Sequence, residues 1–185
     1  MRSKIFRIFS VPIFCLLWSC VSVKEINEVS HSYVPKVGFS VDDLSGSFSN
    51  QPIVVGANTG EPLSKFFFTP FKVYEWDEFR DYEGVVQIQP LSSHTINVQL
   101  WKADTLTCEV EVNGELQGDY FEIDRKLKVI GFPFIYFIYQ ERKTIISTTE
   151  EGNLILKQGK MSMGNVFIFS GGTDSYTSGE FKRIY

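Results

Sequence analysis

Thr95-Ile-Asn-Val-Gln-Leu-Trp101 and Leu106-Thr-Cys-Glu-Val-Glu-Val112, followed by Asn113-Gly114, carry the pattern that decides the fold. In the first, Ile96, Val98 and Leu100 alternate with Thr95, Asn97 and Gln99. In the second, Leu106, Cys108, Val110 and Val112 alternate with Thr107, Glu109, Glu111 and Asn113. A period of two sends successive side chains to opposite faces, so each segment reads as a strand with one dry and one wet face. Asn-Gly accepts the paired positive φ angles of a tight hairpin turn, and the sequence therefore predicts a turn at Asn113-Gly114.

Working outward, similar segments recur at short spacing. They run Leu44–Asn50, Val85–Gln89, Glu115–Asp124, Lys126–Phe132, Phe134–Gln140, Thr144–Thr149, Asn153–Lys157, Asn165–Ser170 and Gly179–Ile184, with Glu150-Glu151-Gly152-Asn153 as another tight connection. With the two segments quoted first, that is more than eight short strands separated by turns, the pattern of an antiparallel meander closing into a barrel of roughly 8–10 strands, or of a β-sandwich. An aromatic content of 15% supports pleated, half-buried surfaces. Leu63–Tyr82, divided by Pro70, is the stretch with room for a short helical or irregular cap after the first strand. Val129-Ile-Gly-Phe-Pro-Phe-Ile-Tyr-Phe-Ile-Tyr139 breaks the alternation by being apolar at nearly every position. Such a run predicts a hairpin covered on both faces, buried beneath the Leu63–Tyr82 segment or lining an internal cavity.

The N-terminus has a different character. Arg2, Lys4 and Arg7 precede an apolar stretch from Ile8 to Trp18, about half the ~20 residues a membrane-crossing helix needs, so residues 1–19 read as a signal peptide. Leu17-Trp18-Ser19-Cys20 resembles the lipobox of bacterial lipoproteins, which implies lipidation of Cys20 and attachment to the membrane through that lipid. Residues 20–41 lack a sustained period and are expected to be the tether, leaving 42–185 as the barrel domain. Removing 1–19 takes away three basic residues and no acidic one, so the net charge of -4 becomes more negative. An acidic chain of this kind lacks the basic excess that phosphate neutralisation demands, which argues against nucleic acid as a partner. Of three cysteines, Cys15 leaves with the signal and Cys20 is modified, so Cys108 has no partner and the domain relies on its core.

Asp43-Leu-Ser-Gly-Ser-Phe48 resembles the opening of lipocalin-like proteins, in which a glycine and an aromatic two residues later start the first barrel strand. An arginine near the end of the last strand packs across that aromatic in the family, which implies Phe48 and Arg183 as a barrel-closing pair. Gly118–Ile135, Gly152-Asn-Leu-Ile155 and Phe167-Ile-Phe-Ser-Gly-Gly172 are similar to stretches of lipocalin-like (calycin-type) lipoproteins of the Bacteroidetes kind. The resemblance covers residues 43–185. It implies an envelope protein, lipid-anchored on the periplasmic side of the outer membrane or at the cell surface, that binds a small apolar or amphipathic molecule through Val110, Tyr120, Tyr136 and Ile138.

The residues themselves offer little chemistry. His31 lies in the tether and His94 in a turn, which supplies neither a nucleophilic triad nor a zinc set. Glu75, Asp77, Glu78, Asp81 and Glu83, interleaved with Tyr74, Trp76, Phe79 and Tyr82, form the most unusual polar segment. It lacks calcium-loop spacing and reads as an amphipathic cap with its carboxylates in water. A non-enzymatic protein without cofactor is the expectation, either a ligand carrier or a scaffold subunit of an envelope complex, with a solid barrel and an outer patch around Trp101 and Phe132.

Overall fold

The computed structural model describes residues 34–53, 61–68, 82–132, 136–166 and 169–184. Eight antiparallel strands follow one another in chain order and close into a barrel. They are β1 (Gly46–Ile53), β2 (Val85–Pro90), β3 (Thr95–Lys102), β4 (Thr105–Gln117), β5 (Tyr120–Phe132), β6 (Tyr136–Thr148), β7 (Leu154–Val166) and β8 (Phe169–Arg183), with one short helix, α1 (Leu63–Phe68), between β1 and β2. The all-β meander and the helical element after the first strand agree with the sequence pattern.

The strands are fewer and longer than their spacing implies. β5, β6 and β7 each run for 13 residues and β8 for 15. Lys126–Phe132 is therefore the far half of β5, and Phe134–Gln140 belongs with Thr144–Thr149, since β6 is continuous from Tyr136.

The turn expected at Asn113-Gly114 is corrected: β4 passes straight through it, and the chain reverses at Gly118-Asp119 instead. Gly118 has φ +63, the left-handed region in which glycine meets no steric penalty. Gly114 serves a close approach. A Cβ there would stand 2.3 Å from the Glu122 carbonyl oxygen and 2.6 Å from the Phe121 ring. Gly114→Ala is accordingly expected to cost about 2–3 kcal/mol by overpacking, read as a shift in the urea midpoint. The paired positive φ values that Asn-Gly was expected to supply occur at Ala103 and Asp104, with φ 45 and 63, between β3 and β4.

The core mixes phenylalanine with aliphatic side chains. Phe48, Phe67, Phe68, Phe121 and Phe181 are fully buried with Leu44, Leu63, Ile88, Ile96, Leu100, Ile146 and Leu154. One end, the base, is closed by a 3-10 turn, Val41–Leu44, and by Arg183. The Arg183 guanidinium lies 4.9 Å from the centroid of the Phe48 ring. It donates to the backbone carbonyls of Gly152 (2.7 Å), Ser45 (2.5 Å) and Asp43 (2.6 Å). β1 and β8 meet at the same place, with Phe48 opposite Arg183.

The chain enters at the base too. Lys36 N donates to the Thr148 carbonyl at 2.7 Å, and Phe39 and Val41 join the core. Asp43 is held below the usual carboxylate range by Lys36 and then by the Ser40 backbone N–H.

The opposite end, the mouth, is plugged by α1. Phe66 meets Phe181 edge to face at 6.3 Å, and Ser64 N donates to the Asn50 side chain at 2.7 Å.

Candidate functional site

The barrel wall divides at the mouth. β4 and β5 pair only from Gly114 to Gln117 and from Tyr120 to Ile123. Past Ile123 the β5 register shifts, and from Lys126 to Phe132 it pairs with β6. Pairing of β6 with β7 and of β7 with β8 continues out to Val166 and Phe169. The outer halves of β5–β8 thus form an apron, a four-stranded sheet projecting beyond the closed ring.

Register and strand alternation order the concave face of the apron in rows. Lys126, Arg142 and Lys160 stand abreast, followed outward by Lys128, Gln140 and Ser162, by Ile130, Ile138 and Gly164, and by Phe132, Tyr136 and Val166. Rows two residues apart are separated by about 6.6 Å. The first row is therefore cationic, the second polar, and the outer two predominantly apolar.

The apolar run Val129–Tyr139 is not covered on both faces, and this expectation is corrected. Phe132 is 72% exposed, Val129 57% and Leu127 60%, and Ile130, Tyr136, Phe137 and Ile138 are exposed as well. Val129 and Phe137 face one side while Ile130 and Ile138 face the other, so apolar groups meet solvent on both surfaces. The physical reason is strand length: β5 and β6 extend beyond the barrel that would bury them. Residues 133–135 lie outside those described.

The expected binding residues are not brought together. Val110 packs against the barrel core. Tyr120 is not directed inward: it packs with Ile145, Met161, Tyr139 and Met163 on the outer face, because its neighbour Phe121 takes the inward position. Tyr136 and Ile138 lie on the concave face near the apron tip. Trp101 is half-buried on β3, its Nε1 donating to Gln99 at 3.1 Å, whereas Phe132 is at the tip. Cys20, His31 and the acidic cluster Glu75, Asp77, Glu78 and Asp81 fall outside the described residues, as do Tyr74, Trp76 and Phe79.

Among the described residues, Phe48, Phe67, Phe121 and Phe181 pack with aliphatic side chains in one buried cluster. A cavity of about 20 Å³, room for roughly one water, lies where β5 leaves β4, lined by Phe66, Phe67, Val112, Ile123, Asp124, Lys126, Arg142 and Thr144. The Thr144 hydroxyl accepts from Gln158 at 2.9 Å.

Among the described residues, Lys143, Arg125, Glu122 and Glu141 on the outer face are paired. Lys143 Nζ lies 2.9 Å from Glu122, Arg125 lies 3.4 Å from both Glu122 and Glu141, and Tyr139 donates to Glu141 at 2.8 Å.

The cationic row is absent from the sequence reading. Its members are 16 and 18 residues apart, and only pairing register joins them. The available signal was Arg125-Lys-Leu-Lys128 and Arg142-Lys143, basic groups at the feet of apolar segments in an acidic chain.

Among the described residues, no group of three or more His, Cys, Asp or Glu is placed to hold a metal ion, and no helix is long and apolar enough to cross a membrane. No family model, curated protein or solved structure matches the chain.

Proposed function

We propose that this is a lipid-anchored protein of the bacterial envelope, of lipocalin-like kind, that binds an amphipathic molecule on the apron rather than inside the barrel. The observation that carries the reading is the exposed apolar tip, with Phe132, Tyr136, Ile138 and Val166 on one concave surface, beside a barrel core in which Phe48, Phe67, Phe121 and Phe181 are buried. Exposed apolar patches of this kind mark ligand or partner surfaces more often than chance. Tyrosine adds a hydroxyl that orients a bound group while its ring supplies apolar contact. Lipidation of Cys20 places the binding surface near a membrane, and the reaction chemistry is none: the protein holds its ligand and releases it unchanged.

Nile red binding tests this. The full chain is expected to enhance the dye's fluorescence, and the double variant Phe132→Ser, Ile138→Ser to weaken binding by at least about fivefold, since each removes apolar area worth about 1 kcal/mol. Its thermal stability should be unchanged, because both side chains are exposed. Equal enhancement by both proteins overturns the reading. Separately, Cys20→Ser should abolish incorporation of a labelled fatty acid and release the protein from membranes, whereas retained label contradicts the anchor.

A second reading, a scaffold subunit whose apron grips a neighbouring envelope protein, is favoured by the exposed apolar tip together with the buried core cluster of the barrel. In-cell cross-linking from position 132 that captures one stable protein neighbour, without dye binding, selects it.

A further inference from the structure

Lys126, Arg142 and Lys160 occupy one row across three adjacent strands. With strands about 4.8 Å apart, the two lysines flank Arg142 with about 10 Å between their Cα atoms. Lys65 on α1 is near enough to Lys160 for their charges to repel. Among the described residues, the carboxylates in the same place are Asp124, which favours the charged form of Lys126, and Glu61, which pairs with Lys65 and attracts Lys160. Lys65, Lys126, Arg142 and Lys160 thus share this place with Asp124 and Glu61 among the described residues.

Arg142, at the centre, has no hydrogen-bond or ion-pair partner among the described residues. The contrast with the outer face of the same strands is informative, since Lys143 and Arg125 there both reach carboxylates. Burial holds the Arg142 guanidinium below its usual range, and burial followed by the charge of Arg142 does the same to Lys126 and Lys160. Arginine nonetheless stays charged in proteins, and the half-buried Arg142 keeps donors open to a ligand at the cavity. Arg142 and Lys126 also line the cavity beside the Thr144 hydroxyl.

We infer that Lys126, Arg142 and Lys160 bind an oxyanion, a phosphate, sulfate or carboxylate group, with two of its oxygens on the Arg142 fork and an ammonium on either side. A planar guanidinium takes two oxyanion oxygens at once, while lysines supply adaptable point charges. The inference deepens the proposed function by naming the ligand's charged end. The Ile130–Ile138 row lies about 13 Å outward, so a chain attached to the anion runs along the apolar rows. An unattached oxyanion uses the same three residues without them.

The test uses the purified full chain and three probes: inorganic phosphate, octyl phosphate below its micelle concentration, and octyl glucoside as the uncharged counterpart, followed by calorimetry and thermal shift. Phosphate and octyl phosphate are both expected to bind, and Arg142→Gln to weaken each at least tenfold while leaving the unliganded melting temperature equal or higher. Octyl phosphate binding at least tenfold more tightly than phosphate identifies a lipid-like source, and equal affinities identify a free oxyanion. Either result supports the site. Should Arg142→Gln fail to fold, Lys160→Gln is expected to weaken phosphate about threefold. Absence of phosphate and octyl phosphate binding, or wild-type affinity for them in both variants, overturns the inference. Octyl glucoside binding as tightly as octyl phosphate also overturns it, while leaving the apron-binding reading intact.

Discussion

Arg183→Ala is expected to lower the unfolding free energy by about 3 kcal/mol and the melting temperature by about 6–12 °C, among the largest losses available to a partly exposed side chain. Arg183 ties three separate segments together: its guanidinium donates to the carbonyls of Asp43 and Ser45 before β1 and of Gly152 between β6 and β7, while the same group covers the Phe48 ring. Hydrogen bonds to a charged donor contribute about 1.5–3 kcal/mol each in favourable cases. These carbonyls lie near the surface and regain water when the donor is lost, so the total falls well short of the sum. Arg183→Lys keeps the charge but loses the planar fork, and about 2 kcal/mol should still disappear. Urea unfolding of the three proteins measures this. A loss below about 0.5 kcal/mol for Arg183→Ala would mean that closure at the base is made by the β1–β8 pairing alone.

Phe67→Ala should cost about 3–5 kcal/mol, the range for removing a buried phenylalanine. α1 has only six residues, too few for stability on local hydrogen bonds, so its place in the mouth depends on packing. Phe67 is 1% exposed and lies in one cluster with Phe48, Phe121 and Phe181. Its removal also enlarges the cavity beside Lys126 and Arg142, which Phe67 helps to wall. Faster amide exchange is therefore expected at Ile123 and Thr144. Lys65→Gln on the same helix, which breaks a partly exposed ion pair with Glu61, should change stability by less than about 1 kcal/mol. Equal, small effects from both substitutions would make α1 a loosely seated flap rather than part of the core.

The architecture was legible because alternation survives wherever a strand has one buried face. Ile96, Val98 and Leu100 are fully buried, as their spacing implies, and Phe48 stands beneath Arg183. Strand boundaries were less legible. Alternation weakens where strands leave the ring, because the outer halves of β5 to β8 no longer separate a core side from a solvent side. One long strand then resembles two short ones. Asn113-Gly114 misled because glycine answers two different needs, a left-handed turn or space beneath a ring, and only the position of Phe121 distinguishes them. The apolar run Val129–Tyr139 pointed to burial, since composition does not reveal that a hairpin outgrows its barrel. Register hid the cationic row most completely: Lys126, Arg142 and Lys160 become neighbours only once β5, β6 and β7 are aligned.

Hydrogen exchange of the full chain with and without octyl phosphate tests most directly the claim that ligand is held on the apron and not inside the barrel. Slowed exchange confined to residues 124–142 and 158–166 is the expected result. Protection centred on β1 to β3, around Phe48, Val86 and Val98, with none on the apron, would place the ligand inside the ring and contradict the claim.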